Sequence, residues 1–263
     1  MLIHVLGSKG WIGSSIIKYF INLGYEVNQV HRNNIHNWLK DEEPKDLVIY
    51  VIGITGNYRT KPYETYESHV GLVAKILKVQ GKLIKKFLYF SSSRVYINNP
   101  STNEDDSIKC IPKNPSDLYN ISKLMGESLV LSNKNQNYKV VRVSNVVGEN
   151  QPKETFIGQL ISECQNKGLA RIIQSPLSEK DYIAMDDLVY FIHQISVKGK
   201  YRIYNVASGS NTSHEKVAEI LNSKGYNIKF VSNNLETFIS KPINISRLME
   251  DYKKPKDPFR NLK

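Results

Sequence analysis

The chain has 263 residues, 40% of them apolar and 23% charged, which allows one large domain or two small ones with an ample core and excludes a disordered chain. No apolar run approaches the ~20 residues of a membrane span, the amino terminus does not read as a signal peptide, and Cys110 and Cys164 are too few for a disulfide framework, so a cytoplasmic protein with no membrane partner is expected. Lys and Arg number 36 against 25 Asp and Glu, a net charge of +11, but they are scattered rather than blocked, which reads as a solvated surface with no nucleic-acid face.

Along the chain, apolar runs of strand length alternate with longer amphipathic stretches. Residues 2–6 are a short run rich in β-formers. Residues 11–23 carry Trp11, Ile12, Ile16, Ile17, Tyr19, Phe20 and Leu23 at helical spacing, and Gly24 follows where a helix-ending glycine belongs. Residues 27–31 and the apolar 47–52 predict strands, the second buried on both faces. A helix is expected over 63–79, a strand over 87–90, a helix over 118–131 and a strand over 140–143. This alternation predicts an α/β fold, a doubly wound parallel sheet with helices on both faces. Beyond residue 148 the pattern is more broken. It predicts helices over 156–165, 187–195 and 213–221 and strands over 171–174 and 203–206. Asp186 and Asp187 are expected to cap the helix that follows them.

The first strand runs into Gly7-Ser8-Lys9-Gly10-Trp11-Ile12-Gly13, which opens the first helix. Gly7 permits a tight turn, Gly10 lets backbone approach a pyrophosphate, and Gly13 lets helix and strand pack closely. The pyrophosphate would sit on free N–H groups at the positive helix end. Trp11 and Ile12 belong to this loop, with the Trp11 ring expected on the sheet. Gly53, just past the strand over 47–52, joins the cofactor-binding set. The second strand ends in His31-Arg32. An acidic residue there would bond the ribose 2′-hydroxyl of NAD, whereas an Arg accommodates a 2′-phosphate. Arg32, with Lys9, therefore favours NADP(H), with NAD(H) as the alternative.

Tyr119-Asn120-Ile121-Ser122-Lys123 places a phenol and an ammonium on one helix face. A free phenol has a pKa near 10. A nearby ammonium is expected to lower it, so that the pair can pass protons to and from an alcohol or ketone. Upstream, Ser91-Ser92-Ser93 falls at the carboxyl end of a strand, where open α/β sheets bind ligands.

Together these motifs resemble the extended short-chain dehydrogenases/reductases, the epimerase/dehydratase family that modifies nucleotide sugars. Ser91-Ser92-Ser93-Arg94-Val95-Tyr96 matches the family's Ser-Ser/Thr-x-x-Val-Tyr-Gly, which places the catalytic hydroxyl on Ser92. Tyr119 and Lys123 match its Tyr-x-x-x-Lys. Arg142-Val143-Ser144-Asn145-Val146-Val147-Gly148 matches Arg-x-x-Asn-Val-x-Gly, whose Asn holds substrate, and Lys180-Asp181-Tyr182-Ile183 matches Arg-Asp-Tyr/Phe-Ile, whose Arg reaches the substrate diphosphate. Lys180 keeps that charge without the bidentate fork. The resemblance implies Ser92, Tyr119 and Lys123 as catalytic residues, Tyr119 and Lys123 also as cofactor contacts, and Ser93, Asn145 and Lys180 as substrate contacts, with no metal. It also implies pairing with a second copy through the helices over 63–79 and 118–131.

Three departures narrow the expectation. The family's dehydratases carry Asp-Glu where this chain has Ser93 and Arg94, which argues against dehydration. Asn98 stands near the family's glycine. Few residues separate the second strand from residue 47, so the sheet should be one strand short. The expected organisation is a Rossmann-type dinucleotide-binding domain over 1–148, with the strand over 203–207 returning to it, and a small substrate-binding lobe over 149–263. The expected function is NAD(P)-dependent reduction of a 4-keto nucleotide sugar. The alternatives are a 4-epimerase with retained NAD and a non-catalytic dinucleotide-binding regulator.

Overall fold

The computed structural model describes residues 1–54, 56–231 and 237–262; residues 55, 232–236 and 263, which fall within the 1–148 and 149–263 stretches, lie outside the described residues. β1 (Leu2–Leu6) feeds α1 (Trp11–Asn22), whose Ile16, Ile17 and Phe20 turn inward and are buried. β2 (Glu26–Val30), a short α2 (Ile35–Trp38) and a wholly buried β3 (Leu47–Tyr50) follow. The helix expected over 63–79 is interrupted: α3 (Pro62–Tyr66) passes through a π-helical stretch, Glu67–Gly71, into α4 (Leu72–Gln80). β4 (Phe87–Ser92) ends in a 3-10 turn, Ser93–Tyr96, and α5 (Asp117–Leu131) and β5 (Tyr138–Val143) complete this half. Next come β6 (Asn145–Val147), α6 (Phe156–Lys167), β7 (Ala170–Ile172), β8 (Glu179–Ala184), α7 (Met185–Lys198) and β9 (Ile203–Val206). β10 (Asn211–Ser213), α8 (His214–Ser223), β11 (Ile228–Phe230) and α9 (Ser246–Asp251) follow them.

The main sheet has six strands in the order β2-β1-β3-β4-β5-β9, all parallel. β9 pairs with β5 along Val140↔Ile203 to Val143↔Val206. Only α2 separates β2 from β3 among the described residues, so β2 is an edge strand. The strand order reverses direction at β1 and β3, and ligands of such sheets bind beyond the carboxyl ends of the strands there. Two small sheets, β10-β8-β6 and β11-β7, accompany the main one; β7 falls on the strand expected over 171–174, and sequence periodicity does not separate the other four strands from loops.

Both faces of the main sheet are covered. Ile16 and Phe20 of α1 meet Leu188, Phe191 and Ile195 of α7 on one side, and Val73 and Ile76 of α4 meet Val130 of α5 on the other. Each such buried side chain contributes about 1.5–3 kcal/mol. β5 is buried along its whole length although it contains Arg142. The Arg142 guanidinium is paired with Glu127 of α5 at 2.7 Å and donates to the Tyr96 hydroxyl, which donates in turn to Asn205 of β9. Ser91 donates to the same Glu127 carboxylate.

Asp186 and Asp187 do not cap α7, whose N-cap is Ala184. They lie in its first turn, where negative charge suits the helix dipole. The Asp187 carboxylate accepts from the Arg260 guanidinium and the Lys256 N–H, and Asp186 accepts from Asn261, so the pair anchors the carboxyl-terminal segment. Asn98 has φ 63°, a left-handed conformation that Asn tolerates better than most residues, which fits a position near the family's glycine. Among the described residues no helix is long and apolar enough to cross a membrane.

Candidate active site

The glycine loop closes tightly behind the carboxyl end of β1. The Gly7 and Ser8 N–H groups both donate to the Val30 carbonyl, which ties the loop to the end of β2. Gly7 has φ +101°, and a Cβ on Gly13 would lie 2.2 Å from the Gly7 carbonyl oxygen. These contacts leave Gly10 as the N-cap of α1, with no side chain capping the helix. The helix start therefore presents free N–H groups to the cleft above it. Trp11 packs against the core, and its indole N–H donates to the Glu149 carbonyl.

That cleft has a volume of about 850 Å³. Gly10, Trp11 and Ile12 line it from α1, and Gly53 from beyond β3. Ser92, Ser93, Tyr119 and Lys123 line its centre, and Asn145 and Lys180 its far side. Gly7 and Gly13 shape the loop from behind. Lys9 and Arg32 are exposed and do not line the cleft. Asn145 donates to the Asp181 carbonyl, which joins β6 to β8 across the site.

Tyr119 and Lys123 lie one turn apart on α5, both buried. The Lys123 ammonium donates to the Phe90 carbonyl of β4 at 2.8 Å and lies 6.0 Å from the Tyr119 ring centroid. A Cβ on Gly53 would come within 3.3 Å of that ammonium, so a larger residue there would press on it. Burial pushes the Lys123 pKa down to about 7.

The expected lowering of the Tyr119 pKa by Lys123 is not what the geometry gives. Burial raises the phenol pKa, and the groups that pull it back are the Ser92 hydroxyl and the Arg94 guanidinium. Spacing on a helix shows which residues share a face but not how deeply both are buried, and here desolvation sets the direction of the shift.

Two neighbours of Tyr119 carry no sequence signal that points to them. His69 lies in the π-helical stretch, fully buried, with its ring edge-on to Tyr119 at 5.2 Å. Its Nε2 accepts from the Ile54 N–H, and its Nδ1 meets the Ser122 hydroxyl, which itself donates to the Tyr119 carbonyl. The network thus assigns the proton to Nδ1. Burial holds the ring neutral, with its pKa down to about 2. Tyr58 packs its ring 5.3 Å from that of Tyr119 and accepts from Arg94. The π-helical stretch is the kind of local irregularity that gathers at functional sites.

The uncapped helix start, the glycine cradle that a Cβ would fill, and a buried ammonium beside a phenol in the same cleft fit a dinucleotide with its pyrophosphate on α1. Fold and site together define a protein of the doubly wound α/β class with a cleft that fits a dinucleotide. Residues 3–207 match the model of the NAD dependent epimerase/dehydratase family, and the chain belongs to that family. It is 26% identical over 196 residues to the dTDP-D-glucose 4,6-dehydratase of Dictyostelium discoideum, a match that covers 68% of this chain and 45% of that protein. The chain thus spans less than half the length of that relative. It is 27% identical over 253 residues to a putative UDP-glucose 4-epimerase of Methanocaldococcus jannaschii, covering 84% of this chain and 81% of that protein. Its fold matches that of MoeE5 in complex with UDP-glucose and NAD with a TM-score of 0.81 at 18% identity, over 98% of this chain and 94% of that one.

Proposed function

We propose that the protein is an NAD(P)-dependent oxidoreductase of a nucleotide-activated sugar, and that its net reaction is reduction of a 4-keto sugar. The observation that carries this reading is the convergence of Ser92, Tyr119 and Lys123 in a cleft that also receives the uncapped start of α1. Family membership and the fold match to a UDP-glucose and NAD complex support the ligand classes. The dehydratase relatives favour a different reaction, but Ser93 and Arg94 stand where dehydration would place its acid pair.

The nicotinamide, when bound, supplies a hydride to the carbonyl carbon. Ser92 holds the carbonyl oxygen by a hydrogen bond, and Tyr119 gives it a proton, so that a ketone becomes an alcohol. The raised pKa of Tyr119 keeps that proton on the phenol at neutral pH, which is the form reduction needs. Lys123 orients the dinucleotide ribose. Asn145 and Lys180 hold the substrate, with Lys180 on the diphosphate. Arg32, two residues beyond the Val30 carbonyl to which the glycine loop is tied, favours NADP(H) through a 2′-phosphate.

The test is oxidation of NADPH and NADH with 4-keto nucleotide sugars, against Tyr119→Phe. Stoichiometric loss of NADPH in the wild type, absent in a folded Tyr119→Phe variant, supports the reading; turnover retained without Tyr119 overturns it. The second reading, a 4-epimerase with retained NAD, is favoured by the long match to the Methanocaldococcus protein and would consume no dinucleotide. A second copy would cover the exposed Ile121 and Met125 of α5 and Tyr66 of α3, and sedimentation would read that pairing.

A further inference from the structure

Arg94 lies within the reacting end of the cleft, over the Tyr58 and Tyr119 rings, and no carboxylate among the described residues answers its charge. Its guanidinium is 5.9 Å from the Tyr119 ring centroid, and its own N–H donates to the Ser92 hydroxyl. One terminal nitrogen donates to the Tyr58 hydroxyl at 2.9 Å and to the Ser116 carbonyl at 3.4 Å, both uncharged acceptors. The Nε is buried and has no acceptor. Arg142, Arg247 and Arg260 each face a carboxylate, whereas no carboxylate of the described residues pairs with Arg94. Asp181 lines the same cleft, but its oxygens are taken by Ser208 and the Gly209 N–H. Lys180, another cation of the cleft, packs over the Phe156 ring and also has no carboxylate partner among the described residues; Lys61, Lys123 and Lys241 line the cleft as well.

Arg94, the one arginine lining the cleft among the described residues, calls for an anionic group of its own. A nucleotide sugar brings one, the diphosphate, which the proposed function gives to Lys180. Arg94 sits instead beside the hydroxyl and phenol that face the reacting carbon. A neutral sugar would leave its partly buried charge without an anion, which is costly. A carboxylate on the neighbouring ring carbon would answer it, and a planar guanidinium recognises carboxylates well. We infer that Arg94 selects a substrate whose sugar carries a carboxylate next to the reacting carbon, a nucleotide-activated uronic acid. This inference rests on the nucleotide-sugar reading of the cleft and specifies its substrate class.

The experiment measures dissociation constants of the full chain, saturated with dinucleotide, for UDP-glucuronic acid, UDP-glucose and UDP. The wild type is expected to prefer UDP-glucuronic acid over UDP-glucose by about tenfold or more, the gain of one charge-assisted contact. Arg94→Met is expected to bring that ratio close to one, and Arg94→Lys to leave it between the two. Equal or tighter binding of UDP-glucose by the wild type overturns the inference without any variant. A preference that survives Arg94→Met also overturns it. If Arg94→Met weakens UDP as much as UDP-glucuronic acid, Arg94 serves the diphosphate, and the carboxylate assignment falls while the nucleotide-sugar reading stands. Binding of none of the three overturns that reading and this inference with it.

Discussion

The Lys123 ammonium gives a hydrogen bond to the Phe90 carbonyl at 2.8 Å, from a position with almost no contact with water. That single bond positions the ammonium at the carboxyl end of β4, beside Ser92 and under Gly53. It does not compensate the loss of hydration, and the Lys123 pKa falls to about 7.

A pH-dependent stability difference follows. The native pKa of Lys123 lies below the unfolded value near 10.5. Below pH 7 both states carry the proton, and the cost of burying the charge is fully present. Between pH 7 and about 10.5 the unfolded chain binds more protons than the native one, so this contribution makes stability rise with pH. Lys123→Met removes the titration. Its stability relative to wild type is expected to be most favourable near pH 6 and to decline by about 1.4 kcal/mol per pH unit above pH 7. Paired thermal melts across pH 6–9.5 check this, and a flat difference would show that Lys123 is not held in the buried state. Activity of the same variant should fall by roughly a hundredfold or more if Lys123 orients the dinucleotide.

A second expectation concerns the ion pair behind the site. Glu127 and Arg142 meet at 2.7 Å with both side chains nearly fully buried, and Ser91, Tyr96 and Asn205 extend the network across β4, β5 and β9. Glu127→Gln removes the negative charge and leaves the Arg142 charge buried, which costs about 3–5 kcal/mol. At about 2–4 °C per kcal/mol for a chain of this size, the melting temperature should drop by at least about 6 °C. Replacing both partners by apolar residues of similar volume should cost less than Glu127→Gln alone, because no charge is left unanswered. Thermal melts of the two variants decide it: a double variant that melts below the single one would mean that the hydrogen bonds, not the charge, hold the network.

Much of the main sheet was legible because its strands are apolar runs of full length and its helices carry a clear 3.6 period. The glycine loop and the Tyr119–Lys123 pair were legible because chemistry fixes their spacing. Of the β10-β8-β6 and β11-β7 sheets only β7 was, since most of their strands are three residues long and show no period. The π-helical stretch hides in an ordinary helical pattern, and with it the place of His69 against Tyr119. The direction of the Tyr119 shift was misread because it depends on burial from several elements at once. Asp186 and Asp187 look like caps locally, but their partners come from residues 256–261, about seventy positions away.

The glycine loop separates two roles that one residue type can play. At Gly13 an added Cβ would sit 2.2 Å from the Gly7 carbonyl oxygen, a backbone atom on a loop already tied to Val30 by two N–H groups. Neither side can yield cheaply, so Gly13→Ala must push α1 away from β1. The expected cost is about 1–3 kcal/mol of stability, the usual range for overpacking, together with a loss of dinucleotide affinity as the helix start moves. At Gly10 an added Cβ would meet only the Gly7 carbonyl oxygen, at 3.2 Å, while Gly10 itself lines the cleft. Gly10→Ala should therefore lose less stability than Gly13→Ala and still weaken dinucleotide binding, because its methyl group stands where a pyrophosphate must approach. Melting curves and dinucleotide titrations of the two variants distinguish these roles. Equal stability losses would mean that Gly10 is needed for packing rather than for ligand approach. Unchanged dinucleotide affinity in Gly10→Ala would place the pyrophosphate elsewhere than on the start of α1.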